Sequence, residues 1–96
     1  MFRHIVIYWF HEPTKENLQE AKERLMGLKD KIPGLLSVEI GMDEAHTERS
    51  CDLCLNMVFE SREALENYRT HPEHIPVQKF MHQVRRLSYS ADYPME

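Results

Sequence analysis

The chain has 96 residues, of which 42% are hydrophobic and 29% charged, and its formal net charge is -4 at neutral pH. This length supports one domain, residues 1–96, because two halves would each be too small to build a core. The negative charge argues against a nucleic-acid partner, which needs a clustered positive surface. The 6 histidines are many for this length, and histidine titrates near neutral pH.

The first half of the chain predicts a strand, a helix and two further strands. Residues 2–10 are rich in β-branched and aromatic side chains and predict the first strand. Thr14 can cap a helix over residues 15–30, where leucine and alanine recur at helical spacing until Ile32-Pro33-Gly34 ends it. Two more strands are predicted at residues 35–40 and 51–59, with a polar loop between them.

The second half predicts two helices and a final strand. Ser61 can cap a short helix that ends at Pro72, and Pro76 is predicted to open another, since proline fits the first helical position. Residues 87–93 alternate between apolar and polar side chains and predict a strand. The order β-α-β-β-α-(α)-β predicts an α+β fold, a ferredoxin-like sandwich with a four-stranded antiparallel sheet.

The first strand is apolar on both sides, which bears on assembly. Right-handed crossovers place both main helices on one face of the sheet. The other face then carries Ile5, Ile7 and Trp9, an apolar patch that is unusual on a monomer. We therefore expect a homodimer with sheets packed face to face. The alternative is that a loop or the short segment after Tyr93 covers the patch.

The spacing of Cys51 and Cys54 is C-x-x-C, which occurs in zinc and redox sites. On a strand, residues three apart point to opposite faces, so the two sulfurs cannot easily share a metal, and we predict neither a metal site nor a cofactor. No apolar run reaches the roughly 18 residues of a membrane span, and the apolar start lacks a small-residue cleavage site. We expect a cytoplasmic protein without a membrane partner.

A candidate site contains three of the histidines. His4 interrupts the apolar first strand, whereas His71 and His74 bracket a proline shortly after Tyr68. Neutral imidazole can accept a proton while a phenol donates to a developing enolate oxygen, so these residues can support acid/base chemistry. The remaining histidines are expected on the surface: His11, His46 and His82.

Two other interpretations of this cluster remain open. The His-Pro-x-His turn can simply end a helix, with one imidazole capping a helix end. Alternatively, the three histidines and Glu73 can hold a divalent ion, although their spacing matches no established zinc pattern.

Five segments occur in an order that is typical of one known family. They are Arg3-His4-Ile5-Val6, Lys31-Ile32-Pro33-Gly34, Phe59-Glu60-Ser61, Tyr68-Arg69-Thr70-His71-Pro72-Glu73-His74 and Ala91-Asp92-Tyr93. The most specific is the HPxH turn with a tyrosine three residues before it. Together they resemble the stress-responsive α/β-barrel family, also called the Dabb domain, over almost the whole chain.

The resemblance implies a ferredoxin-like monomer, a dimer that closes two sheets into an α/β barrel, and a cavity between sheet and helices in each subunit. In a plant polyketide cyclase similar to this family, a histidine and a tyrosine in that cavity promote an intramolecular aldol cyclisation. The matching positions here are Tyr68 and His74, with His4 and His71 lining the same region.

The chain departs from that pattern at two positions. Leu53 stands where the plant cyclase has a further cavity histidine, and Pro76 interrupts the usual run after the HPxH turn and could re-aim the third helix. Leu53, Phe59 and Phe80 are expected to border an apolar cavity, which must be open if a ligand is to enter.

Two functional hypotheses follow. In the first, a small carbonyl or polyketide-like compound enters the cavity, His74 acts as general base, Tyr68 donates to the enolate, His4 orients one of them, and no cofactor is needed. In the second, the dimer is a non-catalytic stress-responsive or small-molecule-binding protein, and the same polar residues only complete a buried network.

Overall fold

The computed structural model describes residues 1–96, which form four strands and three helices. The elements in chain order are β1 (Phe2–Phe10), α1 (Lys15–Met26), β2 (Leu35–Met42), β3 (Leu53–Phe59), α2 (Arg62–Arg69), α3 (His74–Val84) and β4 (Arg85–Pro94). The strands form one antiparallel sheet in the order β2-β3-β1-β4, so the predicted ferredoxin-like arrangement is confirmed. None of the helices combines the length and apolarity needed to cross a membrane.

The two predicted helix caps are present. The side chain of Thr14 accepts a hydrogen bond from the Asn17 amide, and that of Ser61 accepts one from the Ala64 amide, each at 3.1 Å. These bonds satisfy amides that have no partner inside the first turn of a helix. Helix α1 nevertheless ends at Met26, four residues before the predicted end.

The early end of α1 has a local cause. Gly27 is its C-cap, and the chain continues as turns in which Leu28 and Ile32 are still buried in the core. The pattern of apolar residues therefore continues beyond the helix. Leu28 and Ile32 are apolar because they contact the core, although neither belongs to the helix.

Pro76 was predicted at the first position of helix α3. The helix begins at His74, so Pro76 occupies its third position. Proline is tolerated there because the first four amides of a helix have no intrahelical acceptor. Strand β4 begins at Arg85, two residues earlier than predicted, since a register shift between Trp9 and Phe10 extends its pairing with β1.

The two faces of β1 differ as its alternation predicts. His4, Val6 and Tyr8 are buried toward the helices, where they join a core that includes Leu25 of α1 and Leu65 of α2. No helix covers the opposite side of the sheet, here called the outer face, and the loop before β3 reaches it only at Trp9, whose indole donates a hydrogen bond of 2.8 Å to the carbonyl oxygen of Ser50. The outer face carries partly exposed or exposed side chains from three strands: Ile5, Ile7, Trp9, Val58, Tyr89 and Tyr93.

Candidate functional site

A cleft of about 260 Å³ opens on the helix side of the sheet, where β1 and β4 meet α2 and α3. His4 and Tyr8 of β1, Tyr68 of α2, His74 of α3 and Ser88 of β4 all line it. Because β4 is an edge strand beside β1, the space above this pair of strands is open to one side. The fold therefore brings three of the predicted site residues, His4, Tyr68 and His74, into one cleft.

His74 is held by the carbonyl end of α2. Its Nδ1 lies 3.0 Å from the carbonyl oxygen of Tyr68 and 3.3 Å from that of Arg69. Carbonyl oxygens only accept hydrogen bonds, so Nδ1 must carry the hydrogen. In neutral His74 the basic nitrogen is therefore Nε2.

The surroundings of His74 favour its neutral form. Burial lowers the pKa of His74 below its usual 6.5, and the charges of His4 and Arg69 lower it further, against the two carbonyl hydrogen bonds, which raise it. A neutral imidazole with a fixed Nδ1 hydrogen is the form that a general base requires.

Two phenol groups face the same cleft. Neither Tyr8 nor Tyr68 has a hydrogen-bond partner for its hydroxyl within the protein, and no buried polar side-chain atom lacks a partner, so both hydroxyls are accessible to solvent or a ligand; both residues line the cleft, and Tyr68 also borders a second depression. Burial raises the pKa of Tyr8 to about 12 and raises that of Tyr68 as well. Both groups are therefore protonated hydrogen-bond donors near neutral pH.

His4 belongs to a charged network at the back of the cleft. It is 8% exposed, and its Nδ1 lies 2.5 Å from Oδ1 of Asp92, which stands directly opposite it in the pairing of β1 with β4. The other carboxylate oxygen of Asp92 accepts a hydrogen bond of 2.9 Å from Arg69. The network gives the buried imidazole the polar partner that its burial requires.

The aromatic rings of the cleft are packed against one another. The rings of Tyr68 and His74 stack with their centroids 3.9 Å apart, and His4 meets Tyr68 edge-on at 6.2 Å. These contacts fix the direction of the Tyr68 ring, so its hydroxyl position is set by both histidines.

His71 was predicted to line the same region, but it lies outside the cleft. It borders a separate depression of about 210 Å³ near Gly34 and Glu60. Its Nδ1 accepts a hydrogen bond of 3.0 Å from the Glu73 amide, because His71 begins the tight turn that connects α2 to α3. His71 therefore stabilises the turn, while His74 enters the cleft.

The residues of the predicted apolar border do not line the cleft. Leu53 and Phe59 are fully buried, and the ring of Phe59 packs against those of Tyr68 and His4, with centroids 5.3 and 6.5 Å apart. Phe80 is partly buried on another side of α3, where the guanidinium of Arg24 lies 4.1 Å from the centre of its ring. Only 5 of the 13 lining residues are hydrophobic, so the cleft is more polar than expected.

Sequence reasoning did not identify several residues of the site. Tyr8 carried a signal, because it lies on the same side of β1 as His4. His82 was expected to be a solvated residue; it is exposed and lies at the edge of the cleft. Arg69 and Asp92 lie within segments typical of the family but were not singled out, and Arg85 had no local signal, because the contacts of all three depend on the pairing of β4 with β1.

No group of three or more metal-ligating side chains is arranged to hold an ion. Cys51 and Cys54 are free thiols, and burial raises the pKa of both.

The fold is similar to that of several solved structures, each of low sequence identity. A dimeric protein of unknown function from Bacteroides fragilis is 22% identical with a TM-score of 0.83, and the match covers 98% of this chain and 95% of that one. A protein from Arabidopsis thaliana is 19% identical with a TM-score of 0.87, over 100% and 96% of the two chains. Hydroxynitrile lyase from Passiflora edulis is 14% identical with a TM-score of 0.86, over 99% and 93%. These likenesses show the fold.

No curated protein matches the sequence. The model of one family, described as the stress responsive A/B barrel domain, matches residues 2–95. Because this match covers nearly the whole chain, the protein belongs to the stress-responsive A/B barrel domain family, as the sequence resemblance indicated.

Proposed function

We propose that the protein is a homodimeric, cofactor-independent enzyme that uses the cleft for acid/base chemistry on a small carbonyl compound. The observation that carries the proposal is the hydrogen bonding of His74. Two carbonyl oxygens hold its Nδ1 hydrogen, so neutral Nε2 is the basic atom beside the phenol of Tyr68. A base and a hydrogen-bond donor in one cleft are the groups that enolisation requires.

In the proposed step, Nε2 of His74 removes a proton from the carbon next to the substrate carbonyl. The C–H bonding electrons form a carbon–carbon double bond while the π electrons of the carbonyl group move to its oxygen, and the phenol of Tyr68 donates a hydrogen bond to the resulting enolate. His4 keeps the Tyr68 ring in place. The His74 imidazolium then returns the proton to the carbon. Alternatively, the enolate carbon attacks a second carbonyl of the same molecule in an aldol cyclisation, and the alkoxide formed takes up the proton from the imidazolium.

The outer face supports the homodimer. Ile5, Ile7 and Trp9 lie there with Tyr89, which is 61% exposed, and an apolar surface of this kind favours a second copy as its cover. The related Bacteroides fragilis protein is described as dimeric. Because the cleft lies on the helix side of the sheet, pairing through the outer face leaves it open. The free thiols are in keeping with a cytoplasmic location.

The test of catalysis is the exchange of α-protons in D₂O, followed by proton NMR with cyclohexanone and levulinate as probes. The wild type should accelerate exchange of at least one probe. His74→Gln should lose about a hundredfold or more of this acceleration, and Tyr68→Phe about tenfold or more. His11→Gln, an exposed histidine outside the cleft, is the matched control and should retain it. If the wild type exchanges protons no faster than His74→Gln with either probe, the proposed catalysis is contradicted. The non-catalytic binding hypothesis then remains.

A further inference from the structure

Arg85 is an uncommitted positive charge in the cleft. It is half-buried at the start of β4 and lines the cleft, yet its guanidinium forms no salt bridge and no hydrogen bond with another side chain. The other guanidinium there, that of Arg69, is bound to Asp92 at 2.9 Å and lies 3.6 Å from Glu66. Only Arg85 is therefore free to pair with a ligand.

The charges around the cleft differ from those of the whole chain. The protein has 16 acidic and 12 basic side chains, but no aspartate or glutamate lines the cleft. Asp92, which pairs with His4 of the cleft, is already shared between His4 and Arg69. A guanidinium in such a setting lacks a counter-ion, and a ligand carboxylate would supply it.

Neighbouring groups place Arg85 close to the proposed chemistry. Arg85 and Tyr8 line the same cleft, and the charge of Arg85 opposes the rise in the pKa of Tyr8. Ser88 and Ser90 of β4 and Gln78 of α3 line the same cleft and offer further hydrogen bonds. A molecule bound to Arg85 would therefore extend toward Tyr8, Tyr68 and His74.

We propose that Arg85 binds the carboxylate of the substrate, which makes the substrate class a small keto acid. This inference rests on the proposed function, since it supplies the binding half of the same site. The planar guanidinium can donate two parallel hydrogen bonds to a carboxylate, and this orients the rest of the molecule. The volume of about 260 Å³ lies below the range of about 300–1,000 Å³ that is common for drug-sized ligands, which favours a small acid.

The test compares two probes of the same shape, benzoate and benzamide, by NMR titration of the arginine side-chain Nε–H signals and the Ser88 amide. Benzoate should bind about tenfold or more tightly than benzamide, because only benzoate pairs with the guanidinium. Arg85→Gln should abolish this preference. Arg86→Gln is the matched control, since Arg86 is the exposed neighbour outside the cleft, and it should keep the preference.

The proposal would be overturned if the wild type bound benzoate and benzamide with equal affinity. It would also be overturned if Arg85→Gln and Arg86→Gln lost the preference for benzoate equally. Binding of inorganic phosphate as tight as that of benzoate would also overturn it, because the site would then select charge and not a carboxylate. His74→Gln separates this proposal from the catalytic one. If His74→Gln binds benzoate normally while the wild type exchanges no protons, the carboxylate site stands and the enzyme proposal fails.

Discussion

His74 and Tyr68 are joined in two ways: their rings stack with centroids 3.9 Å apart, and Nδ1 of His74 donates to the backbone carbonyl oxygen of Tyr68. The hydrogen bond selects the tautomer of the imidazole, and the stacking holds the phenol against it. They lie six positions apart in the chain, and the turn between α2 and α3 brings them together. The turn therefore has two roles, since it ends a helix and also builds the base–phenol pair.

Stability should depend on pH through His74. Its pKa is lowered on folding, so between the folded pKa and the unfolded value of 6.5 the unfolded chain binds more protons. The stability that comes from neutral His74 is complete above about pH 6.5 and is lost as the pH falls below it. Thermal unfolding at about pH 7.5 and about pH 5.5 should show a larger fall in Tm for the wild type than for His74→Gln. His11→Gln should behave as the wild type, and an identical fall in all three proteins would contradict the lowered pKa.

Removing the carboxylate of Asp92 should destabilise the protein through His4. Asp92→Ala leaves the imidazole of His4, which is 8% exposed, without its partner, and we expect a loss of about 1–3 kcal/mol in the free energy of unfolding. The control is Asp30→Ala, because the side chain of Asp30 is 95% exposed. Urea denaturation measures both, and equal midpoints for the two variants would show that the network adds no stability.

Gly34 should not tolerate a side chain. Its φ of +81° is in the left-handed region, and an added Cβ would lie 2.7 Å from the Cβ of Ala64. We expect Gly34→Ala to cost about 1–3 kcal/mol, because strain and overlap act together. Gly41→Ala is the matched variant, since its added Cβ meets nothing within 4 Å, and its unfolding midpoint should stay near that of the wild type. If both substitutions changed the unfolding midpoint by a similar small amount, the close approach of Gly34 to Ala64 of α2 would be contradicted.

A charge on the outer face should separate the proposed dimer. Ile7→Glu places a carboxylate where the second copy would cover it, so the dissociation constant should rise about a hundredfold or more. Gln19→Glu adds the same charge on the exposed side of α1 and should leave the dimer intact. Analytical ultracentrifugation gives the mass of each species, and circular dichroism verifies that the monomer is folded. A wild type that sediments as a monomer at micromolar concentration would refute the homodimer.

Local patterns determined the elements of this protein. The caps at Thr14 and Ser61 and the alternation of β1 follow from contacts within a few residues, so the sequence alone predicts them. The His-Pro-x-His turn with its tyrosine also marked two members of the candidate site. These patterns predict which side of an element is apolar and where the element begins or ends.

Tertiary structure decided which side chains share the cleft. Because β4 pairs with β1, Asp92 reaches His4 and Arg85 joins Tyr8 in lining the cleft, while Leu53 and Phe59 on β3 are buried in the core. Asp92 lies 88 residues from His4 in the chain, and no local propensity specifies a contact of that range. Periodicity places a residue on a face of its strand, but the strand order, which depends on packing of the whole sheet, decides what it meets there.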